Sequence, residues 1–235
     1  MLARSDSVPL PATCVSLHGA DVVLDCAGAL VWPEQRLLVV ADLHLEKASA
    51  FARRGQMLPP YDTHETLNRL EDLVRRWSPA HLVALGDSLH DRRGAERLDP
   101  LALERLRHLQ AGRTFVWIAG NHDPDPSPVL GGEWAREWRV GPLVFRHEPR
   151  AGDADGEVAG HLHPAARLAV RGQSIRRRCF ATDGRRIVLP ALGALAGGLN
   201  VRNPAVAGLF GGAFEAHMLG RERTFRVAAR ACLMD

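Results

Sequence analysis

The run Leu37-Leu38-Val39-Val40-Ala41, opened by Arg36, has the length and β-branched content of a strand buried on both faces. Two later runs repeat it, His81-Leu82-Val83-Ala84-Leu85 and Thr114-Phe115-Val116-Trp117-Ile118-Ala119. Between them the period changes. Leu67, Leu70, Leu73 and Val74 recur at helical spacing and predict a helix over 63–77, with Asp62 and Glu65 resembling a capping box and Pro79 closing it. A second helix is predicted around 101–109. Strand, helix, strand, helix, strand is a βαβαβ unit, and each strand runs into a polar word: Asp42-Leu43-His44, Gly86-Asp87 and Gly120-Asn121-His122-Asp123. The C-terminal ends of strands are where ligand sites gather in open α/β sheets.

After Pro124 the pattern changes again. Short apolar runs at 143–145, 157–159, 167–170 and 186–189 are separated by turn residues with no long helix between them, which predicts a second, largely antiparallel sheet. Runs at 21–25 and 29–32 predict a hairpin added to one of the sheets. Trp134 and Trp138 stand at helical spacing and read as core or lid packing. The segments 152–156 and 193–198, rich in Gly, Ala and Asp, read as mobile loops. The architecture expected is a two-sheet α/β sandwich. A single domain over 1–235 can hold it, since 235 residues at 46% hydrophobic suffice for one sizeable core.

Composition narrows the setting. No window approaches the length of a membrane span and the first residues lack the apolar core of a signal peptide, so a cytoplasmic protein without membrane attachment is expected. Cys14, Cys26, Cys179 and Cys232 form no C-x-x-C pair, which leaves neither a zinc knuckle nor a redox motif and reads as reduced, mostly buried thiols. The net charge is +3, and Lys47 is the one lysine among 30 basic residues. That excess suits a polyanionic substrate without pointing to one, because it is spread along the chain.

The chemistry sits in five short words in fixed order: Asp42-Leu43-His44, Gly86-Asp87, Gly120-Asn121-His122-Asp123, His147 and Gly160-His161-Leu162-His163. They offer carboxylates, a carboxamide and five imidazoles. Zinc, iron and manganese accept imidazole nitrogen readily, while carboxylate and amide oxygens suit the harder metals of that group. Residues two apart on an extended segment project to the same side, so Asp42 with His44 and His161 with His163 would each present two ligands to one face. Glycines at 86, 120 and 160 let the backbone pass close to ions. A lone D-x-H or G-D is common in any α/β protein; five words in order are not.

These words resemble the signature of the calcineurin-like metallophosphoesterase superfamily over 42–163. The longer strings ADLHLEKASAFARRGQMLPP, ALGDSLHD, IAGNHD, FRHEP, GHLHPAARL, RRRCF and VLPALGALAGG resemble the ligase-associated DNA damage response endonuclease (PdeM) family along most of the chain. The resemblance implies a four-layer α/β/β/α metallophosphoesterase sandwich with mixed sheets. It implies that Asp42, His44 and His163 hold one metal, that Asn121, His147 and His161 hold the other, and that Asp87 bridges them. The cofactors implied are two divalent transition-metal ions, manganese foremost with zinc or iron as alternatives, activating a bridging hydroxide against a phosphodiester.

By the same resemblance His122 is a general acid or a stabiliser of the leaving oxygen, oriented by Asp123, by Asp91 or by a carbonyl. His90 stands where many phosphatases of the superfamily carry an aspartate. It resembles the DNA-repair nuclease branches, in which a histidine there contacts the scissile phosphate. The implied activity is a DNA endonuclease preferring single strands, with a DNA ligase, a helicase and an exonuclease of the same repair setting as candidate partners. Lys47, Arg53 and Arg54, with Gln56, are candidate substrate contacts, although an exposed basic helix face accounts for them equally. Arg176-Arg177-Arg178 reads as a solvated strand and turn, and no aromatic stacking platform is legible. Two other readings stay open: a phosphodiesterase or phosphatase for a small nucleotide or other phosphorylated metabolite, and a non-catalytic scaffold. Retention of every ligand word and of His122 argues against the scaffold.

Overall fold

In a computed structural model, which describes residues 13–235, alternate residues of each parallel strand face two different cores. Seven strands, β1 (Thr13–Leu17), β2 (Ala20–Leu24), β3 (Leu30–Trp32), β4 (Leu37–Val40), β5 (His81–Ala84), β6 (Thr114–Ile118) and β7 (Glu133–Ala135), pair in chain order into one sheet. The pairs from β1 to β4 are antiparallel and those from β4 to β7 are parallel. The rest of the chain builds the second sheet from β8 (Glu137–Val140), β9 (Leu143–Arg146), β10 (Glu157–Ala159), β11 (Ala165–Val170), β12 (Gln173–Thr182), β13 (Arg186–Val188), β14 (Glu215–Leu219) and β15 (Thr224–Ala228). Its order is β15-β14-β12-β13-β10-β9-β8, with β11 paired to β12 as a ribbon off that path. Parallel pairs β9-β10 and β10-β13 sit among antiparallel ones, so this sheet too is mixed.

Period 2 divides the side chains. Leu37, Val39, Val83, Val116 and Ile118 point to the space between the sheets and meet Phe145, Val158, Phe180 and Ile187 of the second sheet. Leu38, Val40, Leu82, Ala84, Phe115 and Trp117 point the other way, onto the helices α2 (Asp62–Trp77) and α3 (Pro100–Gln110) through Leu67, Leu70, Leu73, Leu106 and Leu109. A short helix α1 (Lys47–Ala52) precedes them. On the far side of the second sheet, Ala181, Val188, Ala216 and Met218 are covered by Val206 of α4 (Pro204–Ala207), Phe210 and Cys232. The result is a four-layer α/β/β/α sandwich whose last layer is thin.

Some expected features are placed differently. Trp134 and Trp138 share no helix: they lie on β7 and β8, in different sheets, where Trp134 packs near Trp117 and Trp138 near Phe145. β-sheet pairing of Glu133–Ala135 with β6 overrides the helical spacing. Asp62 does not cap α2; it is the helix's first residue, and its buried carboxylate accepts from the Ala48 N–H of α1, while Glu65 turns to Arg69. The stretch 193–198 is tethered: Gly193 N–H donates to the Asp42 carbonyl and Ala194 N–H to Thr66 Oγ1. Among the described residues no helix is long and apolar enough to cross a membrane.

Candidate metal centre

The parallel strands β4, β5 and β6 end on one edge of the sandwich, and the polar words that follow them meet there with the turns after β9 and β10. Backbone bonds lock the first two words together: His44 N–H donates to the Asp87 carbonyl at 2.9 Å and Leu45 N–H to the Ser88 carbonyl at 2.9 Å. Asp42, His44, Asp87, His161 and His163 all have φ between 44° and 67°. Left-handed backbone is uncommon outside glycine and costs roughly 1–3 kcal/mol per residue in strained settings, and such residues cluster at functional sites. The convergence of Asp42 with His44 and of His161 with His163 therefore comes from left-handed kinks beyond the strand ends. The extended geometry expected for these pairs does not occur.

The donors form two tight groups. In one, His44 Nε2 and His163 Nε2 are 3.3 Å apart and His163 Nε2 is 3.2 Å from Asp42 Oδ1. In the other, His147 Nε2 lies 2.9 Å from Asn121 Oδ1, 3.1 Å from His161 Nδ1 and 3.4 Å from Asp87 Oδ1. His147 Nδ1 donates to the Leu85 carbonyl at 2.8 Å, which fixes the tautomer and leaves Nε2 with its lone pair toward the group. Gly86 makes room for that ring: a Cβ there would lie 2.5 Å from His147 Cγ.

Asp42 is 0% exposed and Asp87 3% exposed, yet neither has an Arg or Lys partner among the described residues. Buried carboxylates without a cation are costly. Among the imidazoles around them, His44, His90 and His161 supply little compensating charge. Burial, then the neighbouring His163, push His44 down to about 2, and burial followed by the charge of Lys47 pushes His90 to about 4. His161 is likewise lowered by burial and by His147, while at His163 the effect of burial is outweighed by the hydrogen bond and charge of Asp42, which raise it. Imidazole nitrogens and buried carboxylate oxygens converging at 3 Å spacings are a donor set that fits divalent transition-metal cations.

Around these donors stand the expected catalytic residues. His122 N–H donates to Asp87 Oδ1 at 2.9 Å, and the His122 Nδ1–H donates to the His90 carbonyl at 2.6 Å. Of the orienting partners expected for His122, Asp123, Asp91 or a carbonyl, it is a carbonyl that meets Nδ1. Asp123 instead accepts from the N–H groups of Ser88, Leu89 and Gly120, so it fixes the turn carrying Asp87; burial raises it to about 6. Asp91 is engaged by Arg97. The His90 ring stacks on His122 with centroids 5.2 Å apart.

A cleft of about 330 Å³ opens over the cluster, lined by His44, Asp87, His90, His122, His161 and His163, with Lys47 at its rim. Lys47 Nζ donates to the Leu195 carbonyl, and burial lowers its pKa. Arg53 and Arg54 follow α1 and are exposed, and neither lines the cleft. The opposite wall is Gly197-Gly198-Leu199. The sequence offered no role for this strap, 191–199, because glycine and alanine carry no chemistry and their positions depend on bonds from distant residues.

Residues 35–182 match the calcineurin-like phosphoesterase family. The chain belongs to that family. Its members use divalent metals, in keeping with the donor clusters of this phosphoesterase. Among solved structures, the crystal structure of Pseudomonas putida nuclease MPE is similar, with 28% sequence identity and a TM-score of 0.70, covering 92% of this chain and 100% of that one. A more distant likeness is Yfce, a phosphoesterase from E. coli, at 18% identity and a TM-score of 0.41, covering 82% and 98% of the two chains. A search of the curated proteins finds no match.

The carbonyl partner of His122 has a kinetic consequence. A carbonyl only accepts, so Nδ1 keeps its hydrogen and the second proton of the imidazolium sits on Nε2, 3.9 Å from Asp87 Oδ2 and beside the cleft. If that proton goes to the leaving oxygen, His122→Ala slows hydrolysis of an alkyl phosphodiester, whose alkoxide leaving group needs a proton, by about 10²–10⁴-fold, and of an aryl phosphodiester far less. Steady-state rates on the two substrates check this, with metal content unchanged. Equal losses on both, or loss of metal, would reassign His122.

Proposed function

We propose that this phosphoesterase is a metal-dependent phosphodiesterase that cleaves DNA internally, with a preference for single strands, using two divalent cations of which manganese suits the site best. Asp42, His44 and His163 would hold one cation and Asn121, His147 and His161 the other, with Asp87 between them. When bound, such a pair supplies an activated water near neutral pH and neutralises charge on the phosphoryl oxygens. The protein's own groups do the rest. His122 holds a proton at Nε2 toward the leaving oxygen. Neutral His90 hydrogen-bonds a phosphate oxygen without adding charge, and Lys47 marks the rim where the next phosphate passes.

The observation that carries this reading is the shape of the cleft. At about 330 Å³ it lies near the lower end of the ~300–1,000 Å³ range of small-molecule sites, and it opens to solvent with Lys47 in its lining. Such a site takes a phosphodiester group and leaves the flanking nucleosides outside. The likeness to a nuclease from Pseudomonas putida supports the same substrate class.

The test uses covalently closed single-stranded DNA circles, which offer no end. With manganese present the protein should cut them, and the apparent affinity should fall steeply as salt rises, since each phosphate contact releases counterions. Charge reversal at Arg53 and Arg54 should weaken cleavage of circles and leave an aryl diester nearly untouched. If circles are refractory, salt is without effect and a small diester is by far the better substrate, a small-molecule phosphodiesterase replaces the nuclease.

A further inference from the structure

The β11-β12 ribbon and the β14-β15 hairpin enclose a second concavity, a trough of about 1090 Å³ that shares no lining residue with the cleft. Its floor is apolar, formed by Leu168, Ile175, Met218 and Val227. Arg69, Arg176, Arg177, Arg178, Arg221 and Arg226 also line it, and no Asp or Glu does. Three of these six are matched by carboxylates, Arg69 by Glu65, Arg176 by Asp235 and Arg226 by Glu215. Arg178 donates only to carbonyls, and Arg177 and Arg221 are exposed without a carboxylate partner among the described residues. The trough therefore carries surplus positive charge over a greasy floor.

An aromatic stack completes it. Phe225, 48% exposed, lines the trough with the Arg223 guanidinium 4.9 Å from its ring centroid. The sequence hid this stack, since no run of interleaved aromatics announces it; it forms only when the β14-β15 turn brings residues 223 and 225 over Gly220. Arginine planes and aromatic rings are the surfaces on which unpaired bases stack. A duplex keeps its bases paired and cannot use them.

The trough and the cleft are two sides of one strap. Arg178 Nη1 donates to the Ala191 carbonyl at 2.7 Å and Arg176 Nη2 to the Gly198 carbonyl at 2.6 Å, while Gly197-Gly198-Leu199 wall the cleft. From this geometry we infer that the trough is a binding track for a single nucleic-acid strand running over the strap from the metal centre, its phosphates on Arg177 and Arg221 and its bases on the Arg223-Phe225 stack. The size agrees: about 1090 Å³ is above the ~300–1,000 Å³ range of small-molecule pockets. The inference rests on the nuclease reading for its substrate class.

Equilibrium binding of a labelled single strand to chelator-treated protein, which cannot cut it, tests the track across a salt series. The variant Arg177→Glu/Arg221→Glu should bind at least about tenfold more weakly and lose about 1.4 from the slope of log affinity against log salt, at roughly 0.7 per phosphate contact. Phe225→Ala should bind about 5- to 150-fold more weakly with an unchanged slope, as for loss of one stacked base. Both variants should hydrolyse an aryl phosphodiester with manganese at the wild-type rate, which shows the fold and the metal centre intact, and a duplex of the same sequence should bind more weakly than the single strand. Wild-type affinity and slope in both variants, or tighter binding of the duplex, overturns the track. Cleavage of DNA circles by the wild-type protein is read separately: circles cut while the variants bind normally removes the track and keeps the nuclease, and circles left intact removes the nuclease.

Discussion

Asp87→Ala is expected to lower turnover of any phosphodiester by at least about 10³-fold and to leave the protein unable to retain two metal ions. Asp87 stands among the donors, with Oδ1 facing His147 Nε2 at 3.4 Å and Oδ2 facing His122 Nε2 at 3.9 Å, and the proposed function places it between the two cations. Two cations held side by side repel, and a carboxylate between them is what offsets that repulsion. Asp87 Oδ1 also accepts the His122 N–H, so alanine removes a hydrogen bond along with the charge. Asp87→Asn separates the two, because it keeps an acceptor oxygen and loses the charge. Asn should therefore fail nearly as badly as Ala in metal analysis and in rate. Two tightly bound ions with near-normal turnover in either variant would mean that Asp87 does not bridge.

The second large effect belongs to a residue with no chemistry of its own. Gly120 has no left-handed backbone to demand glycine; what it provides is space, since a Cβ there would lie 2.2 Å from Asp87 N and 2.3 Å from Asp87 Oδ1. Neither the Asp87 backbone nor Asp123, 2.6 Å from the same point, can give way without moving the turn that both hold. Gly120→Ala should cost about 1–3 kcal/mol, lowering Tm by about 2–12 °C, and should cut turnover by at least about tenfold through displacement of Asp87. Gly211→Ala is the control, because nothing lies within 4 Å of an added Cβ there. Calorimetry and aryl diester kinetics on both variants decide it: a Gly120→Ala protein with wild-type Tm and rate would show that the turn adapts freely.

What the chain revealed of itself follows from which forces are local. The strands β4, β5 and β6 and the helices α2 and α3 were legible because their periodicities are set by burial against a layer on each side. β7 and β8 were not, since Trp134 and Trp138 happen to stand four apart, a spacing that serves a helix as well as two short strands in different sheets. β14 and β15 were missed, and β12 was read only as a solvated strand and turn at 176–178, for a related reason: Arg176, Arg177, Arg226 and Phe225 place charge and an exposed ring where alternation should show apolar residues, and pairing with β11 and β14 decides their state. In the candidate metal centre the five words named the residues that the structure brings together. Their backbone was not legible. Asp42, His44, Asp87, His161 and His163 adopt left-handed φ without being glycine, a conformation that only the surrounding hydrogen bonds impose. Of the three orienting partners the sequence left open for His122, the carbonyl is the one that meets its Nδ1, and it comes from His90, on another turn.

In the proposed function two divalent cations, held by the carboxylate, carboxamide and imidazole donors at the strand ends, make this protein a phosphodiesterase. Stripping the protein with a chelator, titrating manganese back and measuring bound metal alongside hydrolysis of an aryl phosphodiester tests it most directly. The stripped protein should show no activity, with recovery complete at two equivalents of manganese per chain and poor with magnesium, which prefers oxygen ligands and dehydrates reluctantly at a site this rich in imidazole. Full activity in the stripped protein, or recovery with magnesium alone, would contradict it.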